Sequence, residues 1–185
     1  MKKNVILWIR HNIPKRENYI RKHRLASGLT VGDHFECYSW EGIDANWPWL
    51  ITIGNHVGIS HHVIILAHDA SPSWVDCGTK LGRVDIGNNV FIGAGVTILC
   101  NTKIGDNVVI GAGSVVSGKL ESGYVYAGIP AKKICSIEEY KKKNEERRSK
   151  SFDFSAIRPW YEWEHASEEE KKKMKEILSD GPGYI

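Results

Sequence analysis

The sequence predicts a mainly β protein, a triangular prism of hexapeptide repeats set between a helical N-terminal arm and a helical C-terminal extension. Three observations predict the prism. In VDIGNNVFIGAGVTILCNTKIGDNVVIGAGSVV, Ile86, Ile92, Ile98, Ile104, Ile110 and Val116 recur every six positions. A small or β-branched set, Val90, Val96, Thr102, Val108 and Ser114, recurs four places later. Glycine follows four of the six aliphatics, at Gly87, Gly93, Gly105 and Gly111. A helical period of 3.6 would scatter these positions around a cylinder, and strict alternation would give a plain strand. If each hexad is instead a short strand and a turn, the aliphatic points inward on every face and glycine allows the dihedrals of the turn. Three such hexads close one coil, and stacked coils bury a continuous aliphatic column while pairing their backbones in parallel. A β-sandwich imposes no such period, because hairpin connections do not fix a hexad.

Taken in chain order, residues 1–24 carry eight Lys/Arg against one Glu and form a basic helical arm. Its plain reading is a solvated helix face, and its sharper one is contact with anionic lipid head groups or a lipid-linked substrate. The apolar run VILWI is five residues long, too short for a secretory core or a membrane span, so export is not expected. The prism occupies residues 25–131. The hexad register appears first at Val31-Gly32 and Cys37, and again at Ile53-Gly54, Ile59 and Ile65. Two segments leave it as loops, one near 39–50 and one near 66–85. The second lies between Ile65 and Ile86, whose separation of 21 is three more than a whole coil. Loops thrown from a rigid scaffold are preferred places for binding and chemistry.

Residues 132–185 form the extension. Ser136/Glu139 and Ser167/Glu170 are spaced as capping boxes, and the segment 137–150 is too polar for a core helix. Between them, Phe152, Phe154, Trp160, Tyr161 and Trp163 must pack on something, either the prism flank or a neighbouring subunit. The remaining composition excludes more than it assigns. Cys37, Cys77, Cys100 and Cys135 form no CxxC pair, which suits reduced thiols in a cytoplasm, with Cys100 as turn packing. Basic and aromatic residues do not interleave beyond the arm, so nucleic acid is not an expected partner.

The hexad run, followed by GAGSVV and YAGIPAKKI, resembles the left-handed parallel β-helix acyltransferases, in particular the maltose, galactoside, nodulation and capsule-type sugar O-acetyltransferases. The similarity is clearest from Ile51 to Ile134. It implies a left-handed prism, a homotrimer, and acetyl-coenzyme A as co-substrate in a groove between neighbouring prisms. It further implies that His68 in ILAHDASP is the catalytic histidine. Chemistry agrees independently, since a hydroxyl attacking a thioester must lose a proton and imidazole suits that task at neutral pH.

The resemblance places acyl-coenzyme A against Phe91, Gly93, Ala94, Ala112 and Ser117, with Lys132 and Lys133 matching a basic residue that reaches the nucleotide phosphates. The lysine that usually follows the serine position is Gly118 here. Prism geometry alone would account equally for Phe91 and the glycines. Tyr38, Asp44, Trp47, Asp69 and Trp74, in or beside the two excursions, are the acceptor-side candidates, because indole faces stack on sugars and carboxylates hold hydroxyls. A related fold, the γ-class carbonic anhydrase, holds a metal with three histidines. Here His56 and His61 lie five apart, but the matching upstream position falls at Ile20 or Leu25, so no metal is expected.

The expected activity is acetyl transfer from acetyl-coenzyme A to a sugar or glycan hydroxyl in surface-polysaccharide assembly. Transfer to an amine of an amino or nucleotide sugar or an antibiotic, and a non-catalytic trimeric scaffold, are the alternatives.

Overall fold

A computed structural model describes residues 16–157 and 159–185 of the chain. The basic arm at residues 1–15 lies outside the described residues. Two compact units divide the chain, Met1–Ile137 and Glu138–Ile185.

The first unit is the left-handed parallel β-helix. A helix, α1, covers residues 16–26. The strands that follow are very short, two or three residues each up to Lys119–Leu120, because each spans one face of a prism before the chain turns. The first face stacks Thr30–Val31, Ile51–Ile53, Val84–Ile86, Thr102–Ile104 and Lys119–Leu120 in parallel. The second stacks Glu36–Cys37, Val57–Ile59, Val90–Ile92, Val108–Ile110 and Tyr124–Ala127, and is closed by the antiparallel strand Lys132–Ser136. The third stacks Ile64–Ile65, Thr97–Ile98 and Val115–Val116, with Ile43 bridged below Ile65. The hexad aliphatics Ile53, Ile59, Ile65, Ile86, Ile92, Ile98, Ile104, Ile110 and Val116 are all buried, and so is the set Val90, Val96, Thr102, Val108 and Ser114.

The register shows where the coils differ. Ile86 pairs with Ile104, and Ile98 with Val116, eighteen residues on. Val31 pairs with Ile53 at twenty-two, Ile53 with Ile86 at thirty-three and Ile104 with Leu120 at sixteen. All of this variation falls on one edge of the prism. From the first face to the second (53 to 59, 86 to 92, 104 to 110, 120 to 126) and from the second to the third (59 to 65, 92 to 98, 110 to 116) the step is always six. From the third face back to the first it is ten, twenty-one, six and four. The loop between Ile65 and Ile86 therefore inserts fifteen residues into a single six-residue step, rather than three into a whole coil. The earlier loop is also shorter than the sequence suggests, because Ile43 returns to the third face before Asp44 departs.

The glycines after the aliphatics do a different job from the one predicted. They are not the residues with left-handed backbone. That conformation falls two places later, at His56, His62, Asn89, Gly95, Asn107 and Gly113. Gly93 is needed because coils pack too closely for a side chain: a Cβ there would lie 2.6 Å from Ala112 N. Asparagine suits the left-handed corner because its short polar side chain tolerates αL and bonds locally, and Asn89 Nδ2 donates to Asn107 Oδ1 one coil away.

The second unit holds α2 (Ile137–Ser149), with no buried residue, and α3 (Glu168–Ile177). Ser167 accepts from Glu170 N and donates its own N–H to Glu170 Oε2, forming the expected capping box. Phe152, Phe154 and Trp163 of the intervening segment pack together within this unit. Phe154 is buried, meets Trp163 edge-on at 5.7 Å and Phe152 at 4.7 Å, and bridges through its backbone to Tyr184.

Close stacking and corner conformation make separable demands on glycine. Gly93→Ala is expected to lose about 1–3 kcal/mol of stability from overpacking. Gly113→Asn, at an open corner of the αL kind already held by Asn107, should stay within about 0.5 kcal/mol of wild type. Denaturant midpoints measured on both variants check this.

Candidate active site

The insertions in the first two coils leave the prism at the same edge, one above the other, and so bring Asp44 and His68 together. Asp44 follows Ile43 directly and His68 follows Ile65 by three. The His68 Nδ1 lies 2.5 Å from Asp44 Oδ2. The Asp44 side chain is wholly buried. Its Oδ2 also accepts from Ala67 N at 2.9 Å, and Oδ1 accepts from Asn46 N at 2.9 Å and Trp47 N at 3.3 Å. Burial by itself would raise the pKa of this carboxyl, but the imidazole and the three backbone amides outweigh it, and the pKa lies below the ordinary 3.8. Asp44 is thus an ionised carboxylate with a built hydrogen-bond shell. The sequence suggested Asp44 for the acceptor; its carboxylate is instead turned inward and taken up by these four partners, because the corner folds over it.

With Nδ1 committed to Asp44, Nε2 is the ring nitrogen left for chemistry. The indole of Trp47 packs on the ring at 4.6 Å between centroids, tilted by 53°. His68 lines a cleft of about 350 Å³, within the range of small-molecule sites. The cleft follows the same prism edge upward, past Leu99 and Cys100 to Ser117. Asp69, Ala70 and Lys80 form its rim. His68–Asp69 pairs antiparallel with Lys80–Leu81, a small hairpin made by the long insertion. Asp69 accepts from Ser71 N at 2.9 Å, which caps its own turn.

The other expected residues separate into groups. Ser117 shares the cleft with His68. Phe91 is exposed in the middle of the second face, and Ala94 and Ala112 stack at the edge between the second and third faces, the Ala94 carbonyl accepting from Gly113 N. That is a different edge from the one carrying His68, so a single chain does not bring this group and His68 together. Gly93 has a sufficient reason in coil packing. Lys133 is engaged already: its Nζ donates to Glu121 Oε2 at 2.7 Å and lies 3.6 Å from the Tyr124 ring centre, and the Glu121 contact raises its pKa. Lys132 is exposed beside it. Tyr38 packs against His61 at 5.0 Å, tilted by 37°, and lines a second cleft with Arg16, Glu17 and Trp40, away from His68. Trp74 is 90% exposed on the turn Ser71–Val75.

Sequence reasoning missed Lys80 and Cys100 as cleft residues. Cys100 occupies the corner of the one coil with no insertion or deletion, a signal available from the hexad count. Lys80 carried no signal, since only the hairpin fold returns it to His68. Among the described residues no group of three or more metal-ligating side chains occurs. His56 stacks on His34 at 4.6 Å. No helix among the described residues is long and apolar enough to cross a membrane.

The lowered pKa of Asp44 fixes the sign of an acid effect. A depressed carboxyl contributes stability in full above its ordinary 3.8 and loses it as pH falls through the lower value held in the fold. The denaturant midpoint of the wild type should therefore drop more than that of Asp44→Asn between about pH 6 and about pH 3. Equal drops in both proteins would remove this account of Asp44.

Comparison with known proteins places this geometry in a lineage. The model of the bacterial transferase hexapeptide, six repeats, matches residues 83–118. Protein CapG of Staphylococcus aureus is 39% identical over 149 residues, covering 77% of this chain and 83% of that protein. A galactoside acetyltransferase solved in complex with coenzyme A is 22% identical, with a TM-score of 0.52 over 71% of this chain and 85% of its own, a likeness of fold. A soybean serine acetyltransferase apoenzyme is 28% identical with a TM-score of 0.44 over 58% of this chain, which spans 40% of that longer protein. With the hexapeptide repeat matched in sequence and CapG alike over most of both chains, this chain belongs with CapG among the bacterial hexapeptide-repeat transferases.

Proposed function

We propose that this protein transfers acetyl from acetyl-coenzyme A to a hydroxyl of a sugar or glycan during surface-polysaccharide assembly, with His68 as general base. The observation that carries this reading is the Asp44–His68 pair at the head of a small-molecule cleft. The acceptor hydroxyl attacks the thioester carbonyl while His68 Nε2 takes its proton. The tetrahedral intermediate collapses, the carbon–sulfur bond breaks, and the imidazolium returns the proton to the departing thiolate. Asp44 stays ionised throughout, holding the Nδ1 tautomer and offsetting the imidazolium charge. Trp47 packs its indole on the imidazole, which keeps the ring oriented, and it is assigned to the acceptor side as a stacking surface for a sugar.

The donor is assigned to the groove running up the prism edge past Leu99, Cys100 and Ser117. Phe91 lies on the second face and Ala94 and Ala112 on another edge, and they join the same site only if a neighbouring prism presents them. This supports a homotrimer with intersubunit sites, as do the outward, part-exposed Phe91 and Ile64 on the prism faces. Gly93 is left to packing, and Lys132 is the freer of the two lysines for phosphate contact. Trp74, on its exposed turn, is assigned to the outer acceptor side. We place the enzyme in the cytoplasm, with the seven basic residues of positions 1–22 drawing it to the anionic inner membrane surface where lipid-linked glycans are built.

Thiol release from acetyl-coenzyme A in the presence of a panel of glycan acceptors tests the chemistry. His68→Ala should reduce kcat by about 10²- to 10⁴-fold with the fold intact by circular dichroism. Undiminished turnover in that variant would exclude His68 as base. Light scattering should return the mass of three chains, and a monomer that still turns over would exclude the intersubunit site.

A further inference from the structure

Besides His68 itself, Lys80 is the one basic side chain among the residues that line the His68 cleft. It is exposed, and the fold gives it no hydrogen bond or ion pair among the described residues. The contrast with Lys133, tied to Glu121 at 2.7 Å, is direct. Its register partner Asp69 does not neutralise it at contact distance, because the Asp69 carboxylate is turned to the amide of Ser71. The hairpin that carries Lys80 is also the segment that carries His68, and both residues line the same cleft. A cation on the wall of a cleft that holds a general base selects among ligands by their charge.

Two ligands enter the site, and the donor brings no anionic group within reach of Lys80. In an acyl-coenzyme A the pantetheine arm keeps every phosphate far from the thioester, so a thioester seated at His68 leaves its phosphates remote from Lys80. The anion must then belong to the acceptor. We propose that Lys80 reads an anionic group on the acceptor, a carboxylate on the sugar or a phosphate joined to it, close to the hydroxyl that is acetylated. The acceptor is thus an acidic sugar unit, and Lys80 determines specificity for it. This rests on the reading of the cleft as the acyl-transfer site.

The test uses the full-length protein and two independent readouts. Calorimetric binding compares a methyl hexoside, the corresponding methyl hexuronide and the hexose 1-phosphate. Thiol release with acetyl-coenzyme A is followed for the same three. Wild type should favour an acidic acceptor over the neutral one by about 10- to 100-fold, the worth of a charge-assisted contact. Lys80→Gln should abolish that preference by raising KM for the acidic acceptor, and Lys80→Arg should restore most of it. Preference for the hexuronide assigns the anion to the sugar, and preference for the phosphate assigns it to the linkage; either supports the inference. Equal binding of all three by wild type, or a preference that survives in Lys80→Gln, overturns it. So does a rise in KM for acetyl-coenzyme A in place of the acceptor, which would make Lys80 a donor contact. Acidic preference in binding with no thiol release from any acceptor would instead remove acyl transfer while leaving Lys80 as an anion reader.

Discussion

The rest of the structure depends on the distance between coils. Parallel coils pair their backbones closely, so where glycine follows an inward aliphatic the neighbouring coil leaves space for little else, and the next coil must repeat the same path. Gly54, Gly87 and Gly105 show the same constraint as Gly93: a Cβ at any of them would meet the neighbouring coil inside 3 Å. Two of the three prism edges obey it throughout and always take six residues per step. Only the edge from the third face back to the first tolerates change, and there every insertion and deletion of the prism accumulates.

That division of labour places the candidate site. Asp44 comes from the insertion of the first coil and His68 from that of the second, and they meet because the coils are stacked in register at Ile43 and Ile65. A carboxylate with three backbone donors and an imidazole is satisfied despite complete burial, whereas one without them would be driven to its neutral form. The pair is rigid because its supports are backbone amides of the corners themselves, and one support reaches further: Arg24 of α1 is buried and donates from Nε to the carbonyl of Ile43 at 2.9 Å. Part of the basic arm is therefore a brace for the corner that bears Asp44, and Arg24 does not belong to a solvated face.

The same edge then explains the cleft. The third coil turns without insertion at Leu99 and Cys100, and the fourth turns short at Ser117, so the long hairpin beneath overhangs a shallow channel. In this position Cys100 packs the channel wall. Cys37, on the second face, is further from reactivity still: burial pushes its thiol up to about 11, against a partial offset from the Ser39 amide.

The hexad determined the prism from sequence alone, since one aliphatic every six residues with glycine after it admits no helix and no ordinary sheet. It also showed that His68 leaves the scaffold, because Ile65 is the last residue in phase before a long gap. The capping box at Ser167 was legible for the same reason, being local. What only the tertiary structure decided was non-local. Asp44 and His68 are 24 residues apart and share no pattern; a stacked corner joins them. Lys80 reaches the cleft through an antiparallel pairing inside a loop that the repeat does not describe. The duty of the glycines was misassigned in sequence because a repeat shows where glycine is required without showing whether dihedral freedom or a neighbouring coil requires it. A period in sequence specifies the backbone path, while the meeting of side chains across coils depends on how many residues each corner holds, and that count becomes meaningful only when the strands are paired.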